Sequence, residues 1–437
     1  MTLFCRNGRG DSLTLEGRVL APPQGIDECL RLTIDGGVIT RIEPSGSSPL
    51  VVAPAFVDPH VHLRTPGRED EETIATGTEA AAAGGYCAIV AMPNTDPVVD
   101  SAAVLGALVE RARDEAVIPT GFAAAISKGQ RGEELTEMAE LAETGAAAFT
   151  DDGRPVVSSG LLRRALQYSS LAGRPLALHC EDPALSRGGH AHDGEVAAEL
   201  GLGSYPSIAE SVMVERDLAL AAYEGRPLHV MHISARESVE ALQAAQAAGV
   251  HATAEVTPHH LCLTDEAVRS LDPNVKMNPP LRSEEHRQAL VAALRDGTIA
   301  AVATDHAPHA RHEKDVPFED APFGVTGLET AFAALYTYLV LPGLLPLETL
   351  LERMSSGPAR ALALEEPRIE VGARANLVAL DLDAEWRVSE DGFRSRSQNS
   401  WLLGKTLHGR VLQTIADGRQ VFDGGQVVHS HTRQIEA

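Results

Sequence analysis

The sequence predicts an α/β protein: a (β/α)8, TIM-like barrel carrying a small β-sandwich domain built from both chain termini. Three observations predict it. Between Val51 and about Leu364, eight apolar, strand-like runs alternate with alanine-rich helical stretches, the pattern of repeated βα units around a parallel sheet. Eight such units over about 310 residues fit a closed barrel with insertions better than an open sheet. On both sides of this region the texture changes to short strands and turns.

Residues 1–54 form the N-terminal part of the expected sandwich. Leu30–Ile34, Asp35-Gly-Gly37 and Val38–Ile42 read as a hairpin, two strand-like runs around a glycine turn. Residues 55–364 form the expected barrel. Its strand-like runs are Val51–Val57 (overlapping the boundary), Tyr86–Met92, Gly121–Ile126, Ala146–Thr150, Pro175–His179, Leu228–Ile233, His251–Val256 and Ile299–Thr304. Helical stretches intervene at Glu69–Ala83, Ala102–Ala116, Glu133–Glu143 and Ala209–Ala222, while Gly188–Gly194 and Ala310–Pro322 read as long mobile loops. Residues 365–437 return to strands and turns at Asn376–Leu382, Val411–Asp417, Gly418–Phe422 and Gly425–Val428, completing the sandwich.

Composition bounds the function. A formal net charge of −24 argues against a nucleic-acid partner or an anionic membrane surface, since both demand clustered cations. An anionic substrate would need local positive charge, from metal ions and a few arginines. The five cysteines are scattered without a CxxC spacing, which favours reduced thiols and a cytoplasmic location. The N-terminus shows no apolar signal-peptide core, and no apolar run approaches the roughly 20 residues that span a bilayer.

The chemistry lies where polar residues fall relative to the strands. Strand one ends in Asp58-Pro-His-Val-His-Leu-Arg64, and alternation along an extended chain lets His60, His62 and Arg64 share a face. The second run ends in Asn94, the fourth in Asp151-Asp152, the fifth in His179, the sixth in His232, the seventh in His259-His260 and the eighth in Asp305-His306. In a (β/α)8 barrel these ends converge on one face. Four histidines and two aspartates suffice for two zinc-class ions sharing an oxygen. Asp151 and Asp152 cannot both point inward, so one ligates and the other caps the next turn. His190 and His192 read as solvated loop residues and Cys180 as buried packing, while His259 and His260 stay open between support of the site and structure. Asn278 and His309 lie where substrate-facing loops should be.

These motifs resemble the amidohydrolase superfamily and, within it, the class I (bacterial, two-zinc) dihydroorotases. The likeness is carried by Asp58–Arg64, Met92-Pro-Asn-Thr95, Phe149–Gly153, Ala177–Glu181, Pro206–Glu210, Val256–Leu261, Lys276–Arg282, Ala303–His309 and Ala321–Thr330. It implies that His60, His62 and Asp305 hold one zinc, His179 and His232 a second, with Asp152 between them. It implies that Arg64, Asn94 and His309 hold a substrate carboxylate, and that Asn278 and backbone from Gly324 to Gly327 read the ring. The reaction it implies is the reversible cyclisation of N-carbamoyl-L-aspartate to L-dihydroorotate in pyrimidine synthesis, with Asp305 as the proton-transferring base and acid. It further implies a homodimer and admits a complex with aspartate transcarbamoylase. Hydantoinases and allantoinases share the fold but carry a carboxylated lysine on the fourth strand, where this chain reads Ala146-Ala-Ala-Phe-Thr-Asp-Asp152. Arg64 could instead brace the loop against an acid such as Asp58 or Glu69.

Overall fold

Alternating apolar side chains make the beginning of the chain a sheet. In the computed structural model, which describes residues 2–428, β1 (Leu13–Ala21) pairs antiparallel with β2 (Ile26–Asp35). A glycine turn then leads into β3 (Val38–Pro44), with Ile34 opposite Ile39 and Leu32 opposite Ile42. β4 (Leu50–Pro54) runs parallel to β1.

The expected first barrel strand, Val51–Val57, is in fact two strands. β4 stays in the terminal sheet, and the barrel begins with β5 (Phe56–Val61), which carries His60 within it. The backbone changes partner between them: Ala55 N donates to Asn376 O, whereas Phe56 N donates to Gly85 O. An unbroken apolar run conceals such a switch because both strands are buried.

The barrel continues through β6 (Tyr86–Ala91), β7 (Thr120–Ala124), β8 (Ala148–Phe149) and β9 (Ala177–Leu178). A two-stranded ribbon, β10 (Ala191–His192) and β11 (Ser204–Tyr205), is inserted before β12 (Leu228–Val230), β13 (Ala252–Val256) and β14 (Ala301–Val302). Two four-stranded arcs, β5-β6-β7-β8 and β9-β12-β13-β14, are closed by parallel bridges from Phe149 to Leu176 and from Val61 to His306. β15 (Leu377–Arg387), β16 (Thr406–Ala416), β17 (Arg419–Asp423) and β18 (Gln426–Val427) then join the first four strands in one eight-stranded sheet, with β15 against β4. The last part of the 365–437 segment, residues 429–437, lies outside the described residues.

The helix expected over Glu69–Ala83 begins only at Ile74, capped by the Thr73 side chain. Glu71 and Glu72 are drawn out of it into the barrel mouth, against Arg64 and His306. Both expected mobile loops are packed. His192 lies buried in β10, and the 310–322 segment holds a short helix (Arg311–Lys314) with Lys314 and Phe318 buried. Lys276 and Lys314 pin that segment by donating to the carbonyls of Phe318 and Pro322. Among the described residues no helix is long and apolar enough to cross a membrane.

Leu32, fully buried between Val19, Ile34, Leu377 and Ile415, belongs to a core that the two chain ends build together. Leu32→Ala should cost about 2–5 kcal/mol of unfolding free energy in urea. A loss under about 1 kcal/mol would show that the terminal sheet contributes little to the fold.

Candidate metal centre and active site

Every barrel strand contributing a ligand candidate ends at the same rim, so residues far apart in sequence meet. His62 Nε2 lies 3.0 Å from Asp305 Oδ1, and His60 Nε2 lies 3.5 Å from the same oxygen. Asp152 Oδ1 sits 3.6 Å from His60 Nε2, 3.7 Å from His232 Nε2 and 3.8 Å from His179 Nδ1, while its Oδ2 sits 3.6 Å from His62 Nε2. All six expected ligands are therefore brought together around one carboxylate. Two sets are spaced to hold an ion, His60–His62–Asp305 and His60–Asp152–His232. His179 joins the second through His232 Nε2, 2.9 Å from its Nδ1.

The far side of each ring decides which nitrogen is free. His60 Nδ1 donates to Glu255 Oε1 (2.8 Å), His179 Nε2 to Glu181 Oε2 (2.8 Å) and His62 Nδ1 to Asn94 Oδ1 (3.0 Å). A carboxylate or amide oxygen only accepts, so on these three rings the outer nitrogen carries a proton and the inner one is left to face the cluster. His60 Nε2 is buried without a hydrogen-bond partner among the described residues. A buried ring nitrogen without a hydrogen bond, facing two carboxylates, fits a metal ion.

The electrostatics agree. Burial alone would raise the Asp152 carboxyl, yet the His60, His232 and His62 rings hold it well below the carboxylate range. Asp305 is lowered in the same way, against its own burial, by His60 and His62. Burial disfavours charge on His60, but Asp152 and Asp305 outweigh it and raise that ring well above the usual histidine range. The cluster is short of positive charge. A divalent ion held there would supply it.

One wall of the cavity beside this cluster is formed by Arg64, Asn94, Asn278, His309 and Gly324, with His62, Asp152, His179, His232 and Asp305 as its floor. Arg64 Nε donates to Pro308 O (3.1 Å), and Nη2 approaches His309 Nε2 at 3.5 Å. The acid beside Arg64 is Glu71, 3.0 Å from Nε, and not Asp58 or Glu69. His309 is held near 2 by burial and the Arg64 charge, so its ring is neutral. Asn278 Nδ2 donates to Glu181, and its Oδ1 is buried without a partner among the described residues. Gly324 sits at φ +122°, and a Cβ there would come within 2.7 Å of the Ala307 Cβ and 3.2 Å of His309 Nε2.

Gly327, expected to read the ring, is outside the cavity. Its N–H donates to His306 Nδ1, and a Cβ on it would press on Thr304. Asp151 does not cap the turn that follows it; it accepts from Ile126 N and Ser127 N, just past the neighbouring strand β7. His260 is structural, bonded to Thr257 and Pro279 O, while His259 Nε2 is buried without a partner among the described residues. His192 bonds Arg282 and faces His286 rather than solvent. Cys180 is buried and packs against Asp217. Glu255, Glu181, Glu71 and Asn399 were missed. Asn399 accepts from His309 N and donates to Ala307 O and Gly324 O. A signal existed for Glu255, a lone charge within the apolar strand Ala252-Thr-Ala-Glu-Val256. None existed for Asn399, whose segment lacks periodicity.

A family model described as Dihydro-orotase-like matches residues 50–238. The dihydroorotase of Syntrophus aciditrophicus (strain SB) is 44% identical over 417 residues, spanning 93% of this chain and 98% of that protein. The dihydroorotase of Bacillus caldolyticus is 45% identical over 376 residues, spanning 86% of this chain and 88% of that protein. Among solved structures, the L-hydantoinase (dihydropyrimidinase) from Arthrobacter aurescens superposes with a TM-score of 0.85 at 25% identity, over 94% of this chain and 96% of that chain. Identity at this level, running through the barrel and both flanks, makes the chain a member of the dihydroorotase family.

Proposed function

We propose that this chain is a class I, two-zinc dihydroorotase that interconverts N-carbamoyl-L-aspartate and L-dihydroorotate, releasing water on ring closure. The observation that carries this reading is one cavity with two faces: a floor of inward imidazole nitrogens and carboxylates, and a wall presenting a buried guanidinium. His60, His62 and Asp305 would hold one zinc, and His179 and His232 the second, with Asp152 between them. Bound there, zinc supplies Lewis acidity, lowering the pKa of water and polarising the amide carbonyl. In the hydrolytic direction the water oxygen bonds to the ring carbonyl carbon and the ring C–N bond breaks. Asp305 takes the proton of that water and delivers it to the departing ring nitrogen. Arg64, Asn94 and His309 hold the substrate carboxylate, and Asn278 with the backbone at Gly324 faces the ring.

A hydantoinase reading is the natural rival, given the shared fold. Hydantoinases carry a bridging lysine on the fourth strand; here that strand leads into Asp152, whose carboxylate already sits among the four histidines. The family likeness extends the proposal to a cytoplasmic homodimer and a complex with aspartate transcarbamoylase, with the chain divided at residues 54/55 and 364/365.

Asp152→Ala removes a charged group at the centre of the cluster. It should lower zinc content, read by atomic absorption after dialysis, and cut turnover by orders of magnitude. Near-full activity with full metal content would overturn the ligand assignment. The purified protein should hydrolyse dihydroorotate far faster than hydantoin, dihydrouracil or allantoin, none of which carries the carboxylate assigned to Arg64. A preference for an uncharged ring moves the chain to the hydantoinase class. Arg64→Lys keeps the charge but loses the planar fork, and should cost roughly 1.5–3 kcal/mol in kcat/KM, about one to two decades. If Arg64 is a clamp, that variant narrows the gap between dihydroorotate and dihydrouracil. If it merely braces Glu71, both substrates suffer equally.

A further inference from the structure

Three buried carboxylates sit beside the cluster without reaching into the cavity, and they bond in one pattern. Asp58 accepts from His60 N (3.1 Å), Thr304 N (3.2 Å) and Thr304 Oγ1 (2.5 Å). Asp151 accepts from Ile126 N (2.8 Å), Ser127 N (3.0 Å) and the Ser127 hydroxyl. Glu210 accepts from Ser234 N (3.0 Å), Ala235 N (2.9 Å) and the Ser234 hydroxyl. Each takes two backbone N–H groups and one hydroxyl, and each joins two different segments of the barrel rim. Their places are not random. Thr304 precedes Asp305, Asp151 precedes Asp152, and Ser234 lies two residues beyond His232. Asp58 ties strand one to the end of strand eight, so it sets His60 against Asp305 across the barrel seam.

The backbone there needs holding. Asp305 and His232 adopt φ of +48° and +30°, left-handed conformations that side chains with a Cβ adopt at a cost. β14 ends at Val302 and β12 at Val230, and past those ends the ladder thins to single bonds such as Ile233 N to Glu255 O (2.9 Å) and the Val61–His306 bridge, to which the carboxylates add. A carboxyl group that accepts several donors ties the segments that carry them together. Arg282 reinforces one clasp, donating from Nε to Ser234 Oγ (2.9 Å) with Nη2 3.6 Å from Glu210.

We propose that Asp58, Asp151 and Glu210 are positioning residues that set the spacing of the metal ligands by clasping the strand ends that carry them. The inference rests on the reading that the cluster holds metal, and its test separates the two. Metal-free full-length protein is titrated with zinc against a chelating indicator, and the absorption spectrum of the cobalt-loaded form is recorded. The variants are Asp58→Asn, Asp151→Asn and Glu210→Gln, in which an amide N–H₂ meets a donor that the carboxylate accepted. Thr304→Val and Ser234→Ala remove only the hydroxyl arm, for use should a carboxylate variant not fold. Leu32→Ala, remote from the cluster, is the control for lost stability alone.

Each clasp variant should bind zinc about tenfold or more weakly and shift the cobalt bands, a loss of the size seen when supports of metal ligands are removed. Leu32→Ala should lower the melting temperature with zinc affinity and cobalt spectrum unchanged. Clasp variants with wild-type zinc affinity and spectrum overturn the inference while leaving the metal reading intact. A wild-type protein that binds neither metal overturns the metal reading itself. Equal weakening in Leu32→Ala would reduce the clasps to general stability and also overturn the inference.

Discussion

The Asp152 carboxylate, buried among four imidazoles, is the interaction on which the rest of the site depends. Taking such an anion out of water costs several kcal/mol in real proteins unless charge and hydrogen bonds compensate. Asn94 gives it one donor, at 3.1 Å from Oδ2, and the His60, His62, His179 and His232 rings crowd around it at 3.6–3.8 Å. The cavity floor thus gathers carboxylate oxygens and ring nitrogens within reach of one ion. A divalent ion bound there would give a protein without a basic surface local positive potential for an anionic substrate.

A second layer makes this possible. Glu255 reaches His60 with one oxygen and His229 with the other, and burial notwithstanding, those rings hold it near 2, so it stays an acceptor. Glu181 does the same for His179 and reaches Asn278, coupling a ligand to the ring-facing loop. Glu72 links His306 to the segment near Ser395, and Asn399 ties that region to His309. The C-terminal part of the chain therefore contributes to the mouth of the barrel as well as to its own sheet.

Most of this was legible in the sequence for a physical reason. Barrel topology brings strand ends together whatever lies between them, so His60, His62, His179, His232 and Asp305 could be placed from strand count, while the choice of Asp152 over Asp151 came from the family resemblance. What was not legible depended on partner choice. The switch of backbone partner at Ala55 leaves no mark in a run of buried residues. Glu71 and Asn399 come from irregular segments, where no periodicity says which way a side chain points. His192 was misplaced because a glycine-rich stretch reads as loop even when its chain pairs with a distant one, here Ser204–Tyr205. Gly327 was assigned to the ring on the family resemblance, yet its amide faces His306.

The shared fold with hydantoinases shows that the barrel itself does not choose the substrate; the side chains on its rim do. The central claim is that the inward nitrogens and carboxylates hold a two-metal centre. Anomalous diffraction at the zinc edge from crystals of the zinc-loaded protein tests it most directly. The account predicts two peaks on either side of Asp152, one against His60, His62 and Asp305 and the other against His179 and His232. Peaks elsewhere, for instance at the Glu71–His309–Glu313 group, or none within the cluster, would contradict it.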